Sequence, residues 1–159
     1  MKNQNSNKPD KAGVIVFPPL LFACTLVIGI LLGYISPSAL LNTKIALLCG
    51  GLLLPAAIVL LRFAVKTLAK HNTTINPGGA TTTIVKEGIY QYSRNPMYVA
   101  FTIIYISILI MTNSWYGLLL LVPLLIVVQK GIIEKEEKYL LQKFGEEYLS
   151  YRKKVNRWL

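Results

Sequence analysis

Residues 96–129 read PMYVAFTIIYISILIMTNSWYGLLLLVPLLIVVQ, and no charged side chain interrupts them. About 20 consecutive apolar residues cross a bilayer core. The stretch divides at Asn113-Ser114, a tight-turn dipeptide, so it reads as two membrane segments, about 97–112 and 115–133, joined as a helical hairpin. Working outward, residues 12–35 and 45–61 are also free of charge, which predicts two earlier segments over about 14–35 and 43–63. The third segment is short for a full span, so it is expected to tilt, to thin the bilayer locally or to pack within the hairpin. Pro37 closes the first segment. Pro18-Pro19, Pro55 and Pro123 fall within segments, where a kink is expected.

Composition agrees. Of 159 residues, 53% are hydrophobic and 15% charged, too few charges for an ordinary soluble domain. The expectation is an all-α polytopic membrane protein with about four transmembrane helices, a cytosolic loop and an amphipathic C-terminal helix, forming a single domain over 1–159. Residues 1–11 are polar and the apolar run after them exceeds a signal-peptide core, so no cleaved leader is expected.

Orientation follows from the basic residues. Lys2, Lys8 and Lys11 precede the first segment. Five more lie between the second and third, and eight follow the fourth. That places sixteen of seventeen on one side, with Lys44 the exception, and all seven acids share that side. The positive-inside rule then puts both termini and the 64–96 loop in the cytoplasm, in a membrane expected to be a bacterial inner one. The net charge of +10 needs no nucleic acid; anionic lipid headgroups account for it. Cys24 and Cys49 lie inside apolar stretches and read as small packing residues. His71 is the only histidine, so neither a metal site nor a Ser/His/Asp set is expected.

Two polar clusters carry chemistry. The first, GIYQYSRNPMY (88–98), lies at the lip of the third segment. Gly88 permits backbone that other residues resist. Pro96 suits a first helical turn, whose free N–H groups favour anions. Arg94 pairs with anions, Asn95 donates and accepts, and Tyr90, Tyr92 and Tyr98 offer ring faces and hydroxyls. Such a set suits a ligand with a carboxylate and an aromatic ring; the competing reading is an interfacial anchor. The second cluster is Glu134, Glu136 and Glu137, just past the fourth segment. These are solvated charges or a ligand anchor, and adjacent acids on a helix point about 100° apart, so one of Glu136 and Glu137 is expected to face a pocket. Farther on, Leu140, Leu141, Phe144, Tyr148, Tyr151, Val155 and Trp158 form one apolar helical face, with a bend expected at Gly145. Residues 70–87 read as a loop, with Asn76-Pro77 and Gly78-Gly79 as breakers and Thr81–Val85 extended. There is no dinucleotide fingerprint or phosphate loop.

Together, TTIVKEGIYQYSRNPMY (82–98) and EEKYLLQKFGEEYLSYRKKVNRW (136–158) resemble the isoprenylcysteine carboxyl methyltransferase family and its phospholipid methyltransferase relatives, over about residues 70–158. The resemblance implies an integral-membrane, S-adenosylmethionine-dependent methyltransferase without a metal. The acceptor implied is a lipophilic small molecule or lipid carrying a carboxylate, amine or thiol. It implies cofactor contacts from Thr82, Thr83, Ile84, Val85, Tyr90, Asn95, Pro96, Met97, Tyr98 and Glu136. Arg94 and Glu136 are the candidates for a catalytic role; Arg94 is expected to be a carboxylate partner or a headgroup contact. The eukaryotic prenylcysteine enzymes carry His where this chain has Asn95, and Arg near the substrate where it has Ile132. Rival readings are an NADPH-dependent sterol-reductase-like enzyme, which shares an R-H-P-x-Y-like segment, and a non-enzymatic lipid-binding membrane protein.

Overall fold

The computed structural model describes residues 12–14, 16–37, 39, 41–74 and 79–159. Among them there is no strand. Helix α1 spans Pro18–Ile35, α2 Thr43–Lys70, α3 Pro96–Met111 and α4 Trp115–Val128. A π-helical turn, Gln129–Ile133, leads from α4 into α5 (Glu134–Phe144), and α6 (Glu146–Lys154) follows. Three continuous helices, beginning at Pro18, Thr43 and Trp115, are long and apolar enough to cross a membrane; α3 is a shorter apolar helix. The chain is a polytopic helical membrane protein. Its outward faces are apolar, with Leu48, Leu52, Phe63 and Val122 exposed, as a bilayer solvent requires.

Several boundaries differ from the sequence expectation. Helix α1 begins at Pro18 rather than near 14, because Pro18 and Pro19 occupy its first turn, where a missing N–H costs nothing. They start the helix; they do not kink it. Pro55 and Pro123 do lie inside helices. Helix α2 continues past 63 to Lys70, so its 28 residues span about 42 Å, more than a hydrocarbon core of about 30 Å. Its last turns therefore leave the apolar layer as helix, and the loop is correspondingly shorter. The C-terminal segment is two helices bent at Gly145, whose φ of +51° favours glycine. Lys2, Lys8, Lys11, Asn76, Pro77 and Gly78 lie outside the described residues.

Small residues set the packing. Helix α1 lies along α4, and α2 along α3. A Cβ on Gly29 would come within 2.7 Å of the Gly117 backbone, and one on Gly50 within 2.6 Å of the Ser107 carbonyl oxygen. Such close approach is how helices associate where no hydrophobic drive separates protein from lipid. At one end, the two turns interlock. Asn113 Nδ2 donates to the Leu41 carbonyl (2.6 Å), the Leu41 N–H donates to Asn113 Oδ1 (3.1 Å), and Ser114 Oγ donates to the Gly29 carbonyl (2.7 Å). Asn113 takes a left-handed conformation, φ +55°, which asparagine tolerates. The opposite end holds the loop, the segment before α3, and α5 and α6. Gly29→Ala should therefore force α1 from α4 and cost about 1–3 kcal/mol. Gly51→Ala, where a Cβ meets nothing within 4 Å, should leave thermal unfolding in detergent unchanged.

Candidate functional site

The segment from 88 to 95 folds tightly because its polar groups are satisfied locally. Gly88 (φ +61°) opens a 3-10 turn, Gly88–Gln91, whose start is fastened to the end of α2. There Glu87 hydrogen-bonds His71 and lies 3.6 Å from Lys70 Nζ. The His71 hydrogen bond first, then the Lys70 charge, holds the Glu87 carboxyl below its ordinary range. Ser93 Oγ accepts from the Asn95 N–H (3.1 Å), and Pro96 starts α3.

The C-terminal segment closes over this turn. Tyr151 hydroxyl donates to the Tyr90 carbonyl (2.7 Å). The Arg94 N–H donates to the Asn156 carbonyl (2.9 Å), and Asn95 Nδ2 donates to the Arg157 carbonyl (2.9 Å). Burial raises the Tyr90 and Tyr151 hydroxyls above the usual phenol range, so both stay protonated.

Between these layers lies a cavity of about 320 Å³. Thr81, Thr83, Ile84 and Val85 line it from the loop, Tyr90, Arg94, Asn95, Pro96, Met97, Tyr98 and Phe101 from the turn and α3, and Glu136, Glu137, Tyr139, Leu140, Tyr148 and Tyr151 from α5 and α6. Phe17, Pro18 and Pro19 at the start of α1 complete an apolar wall. Across it, the Tyr98 hydroxyl donates to the Glu136 carboxylate, 3.2 Å from Oε1 and 3.1 Å from Oε2. Among the described residues no cation pairs with Glu136. Glu137, by contrast, lies between two guanidiniums. Arg94 Nη1 is 2.9 Å from its Oε1, and Arg157 donates through Nε (3.1 Å) and Nη2 (2.8 Å). The hydrogen bonds to Glu137 raise the Arg157 guanidinium further still. Arg94 Nη1 also donates to the Tyr148 hydroxyl (3.4 Å), while its Nε is buried with no partner among the described residues.

The structure thus brings to one cavity Thr83, Ile84, Val85, Tyr90, Asn95, Pro96, Met97, Tyr98 and Glu136, with Arg94. Thr82 is absent from the lining. Its hydroxyl donates to the Asn72 carbonyl (3.1 Å) and its N–H to Thr73 Oγ1 (3.3 Å), so it ties the loop to itself. Glu136 and Glu137 both face the cavity, against the expectation of one, because α3 and the turn before it supply a partner for each. Arg94 is a carboxylate partner of the protein's own Glu137. Sequence reasoning placed Glu137 only in the acidic cluster, as an alternative to Glu136, and assigned no site role to Tyr148, Tyr151 or Arg157. The three-and-four spacing of the tyrosines showed a buried face, and nothing in the spacing marked Arg157.

A family model described as phospholipid methyltransferase matches residues 45–147, which takes in both clusters up to Glu147. The chain belongs to the phospholipid methyltransferase family. It is similar to a protein named Protein-S-isoprenylcysteine O-methyltransferase from Schizosaccharomyces pombe, 38% identical over 45% of this chain and 30% of that one. The protein of the same name from Saccharomyces cerevisiae is 34% identical over the same shares. An uncharacterized protein from Haemophilus influenzae is 41% identical over 29% of this chain and 68% of its own. The chain spans about a third of the length of the two yeast relatives. No solved structure matches it.

Removing Glu137 should strand two arginines, one of them only 8% exposed. Glu137→Gln should cost about 3–5 kcal/mol. Glu134→Gln should cost less than about 1 kcal/mol, since Glu134 is 45% exposed and 3.4 Å from Arg157. Unfolding in detergent followed by circular dichroism distinguishes the two.

Proposed function

We propose that this chain is an integral-membrane methyltransferase that moves a methyl group from S-adenosylmethionine to a lipophilic acceptor at the membrane–cytosol boundary. One observation carries this reading. A single cavity sets Glu136, an acid with no cationic partner among the described residues, apart from Arg94, a buried arginine whose Nε has no acceptor among them. A buried charge or donor left unsatisfied is costly. A ligand that presents a positive centre to the first and a carboxylate oxygen to the second removes both costs. S-adenosylmethionine carries a sulfonium, an ammonium and a carboxylate, and so fits that pair. The volume suits a small-molecule site, at the lower end of a range of about 300–1,000 Å³.

The residues then divide by chemistry. Tyr90 and Tyr98 offer ring faces and hydroxyls to the adenosine or the sulfonium, with cation–π attraction available to the latter. Asn95 and Arg94 address the methionine end. Thr83, Ile84 and Val85 would border the ligand from the loop, and Pro96 and Met97 from the first turn of α3. Arg94 and Glu136 are the candidates for contact with reacting or charged atoms. When bound, S-adenosylmethionine supplies an activated methyl on its sulfur, so no base, nucleophile or metal need come from the protein for a carboxylate or thiolate acceptor. What this chain supplies is alignment and exclusion of water. The apolar wall of Phe17, Pro18, Pro19 and Phe101 would receive the acceptor from the bilayer side. The basic and acidic residues gathered at the cavity end would face the cytoplasm, with both termini, in a bacterial inner membrane.

Isothermal titration in detergent tests the reading. S-adenosylmethionine and S-adenosylhomocysteine should bind, and NADPH should not. Glu136→Gln should weaken S-adenosylmethionine about ten- to a hundredfold, or about 1.4–2.8 kcal/mol, and Asn95→Ala with Glu136→Ala should abolish binding. Radiolabelled methyl transfer to total lipid extract should yield a product whose mass gives the acceptor class. Binding of NADPH alone, or of neither ligand, rejects the reading.

A further inference from the structure

Arg157 stands outside the cavity, yet it contacts both α5 and the turn that carries Arg94 and Asn95. Its guanidinium grips both oxygens of Glu137, at 3.1 and 2.8 Å, and reaches Glu134 at 3.4 Å. Its carbonyl accepts from Asn95 Nδ2 at 2.9 Å, and the carbonyl before it, on Asn156, accepts from the Arg94 N–H at 2.9 Å. A two-pronged guanidinium–carboxylate pair fixes direction as well as distance. Glu137 is therefore held in one pose, and it in turn holds Arg94 Nη1 at 2.9 Å. With that prong committed, the Arg94 Nε is left as the unpartnered buried donor. Asn95 is fixed from the same residue, since its amide N–H is committed to the Arg157 carbonyl.

We infer that Arg157 is a positioning residue for the amino-acid end of the methyl donor. It acts from behind the cavity, through Glu137 on Arg94 and through its own carbonyl on Asn95. The inference rests on the methyl-donor reading of the cavity. It makes the last residues of the chain part of the binding apparatus, although none of them lines the cavity. It also requires that lysine not replace arginine there, because an ammonium lacks the planar fork that spans both Glu137 oxygens.

Two ligands separate positioning from general support. S-adenosylhomocysteine carries the amino-acid end; 5′-methylthioadenosine keeps the adenosine and sulfur and lacks that end. With the full-length chain in detergent, Arg157→Lys should raise the dissociation constant of S-adenosylhomocysteine about tenfold and that of 5′-methylthioadenosine less than about twofold, a difference near 1.4 kcal/mol. Glu147→Gln, which removes only a surface pair with Lys86, should change neither. The melting temperature of each variant is recorded alongside. Equal loss for both ligands in Arg157→Lys makes the residue a structural support and overturns the inference. Unchanged affinity for both also overturns it, while leaving the methyl-donor reading intact. If the unaltered protein binds neither ligand, that reading falls and the inference falls with it.

Discussion

Burying a carboxylate at the edge of a membrane is tolerable only if charge and hydrogen bonds meet it there. In this chain Glu137 meets two guanidiniums, Arg94 from the turn before α3 and Arg157 from the tail after α6. Three segments far apart in sequence are thereby fixed to one point. The start of α3, the first turn of α5 and the C-terminal tail cannot shift independently without exposing or stranding a charge. Tyr148 lies completely buried against this group, and Tyr151 ties it to the Tyr90 carbonyl. Hydrophobic contact supplies area here, but the ion group supplies direction.

The π-helical turn at Gln129–Ile133 has a matching role. A continuous α-helix from Trp115 would carry the apolar phase of α4 straight into α5. The wider turn shifts that phase, so Ile132 and Ile133 stay buried in the core while the next residues, Glu136 and Glu137, reach the cavity. Such turns inside helices recur at functional sites. Ile132 is wholly enclosed among Tyr98, Val128 and their neighbours. A charged group at that position would need a partner.

What was legible in the sequence follows from which signals are local. Charge segregation along the chain gave the apolar helices, because a bilayer excludes charge residue by residue. Asn113-Ser114 marked the hairpin turn, and Gly145 the bend after α5, because each needs a backbone geometry those residue types favour. Hydropathy could not show α2 running on to Lys70, since a helix leaving the apolar layer keeps its hydrogen bonds while losing its apolar composition. It read Pro18-Pro19 as a kink because it could not tell a helix start from a helix interior. The grouping of Tyr98 with Glu136 was legible as two polar clusters flanking one hairpin, which a hairpin must bring side by side. Glu137 and Arg157 were not. Their pairing is a tertiary fact, made by two helices and a tail closing on one another, and in the sequence Arg157 is one more basic residue in a basic C-terminal stretch.

The placement of α1 completes the argument for a boundary site. Helix α1 contributes no charged group to the cavity, yet Phe17, Pro18 and Pro19 form part of its wall. Proline in the first turn fixes where that helix begins, and α1 is held close to α4 at Gly29. The apolar wall is therefore set at a fixed height against Tyr98 and Glu136 by backbone packing of α1 on the first turn of α4. A ligand that is polar at one end can be satisfied by Glu136, Arg94 and Asn95; an apolar partner gains nothing there and is satisfied only along Phe17, Pro19 and Phe101. The two environments share one space of about 320 Å³, too small for either kind of molecule to be wholly solvated within it. On the proposed methyl-transfer reading, two molecules of opposite solubility would meet in such a space at their reactive ends, and for chemistry whose main demand is alignment that restriction would itself contribute to catalysis.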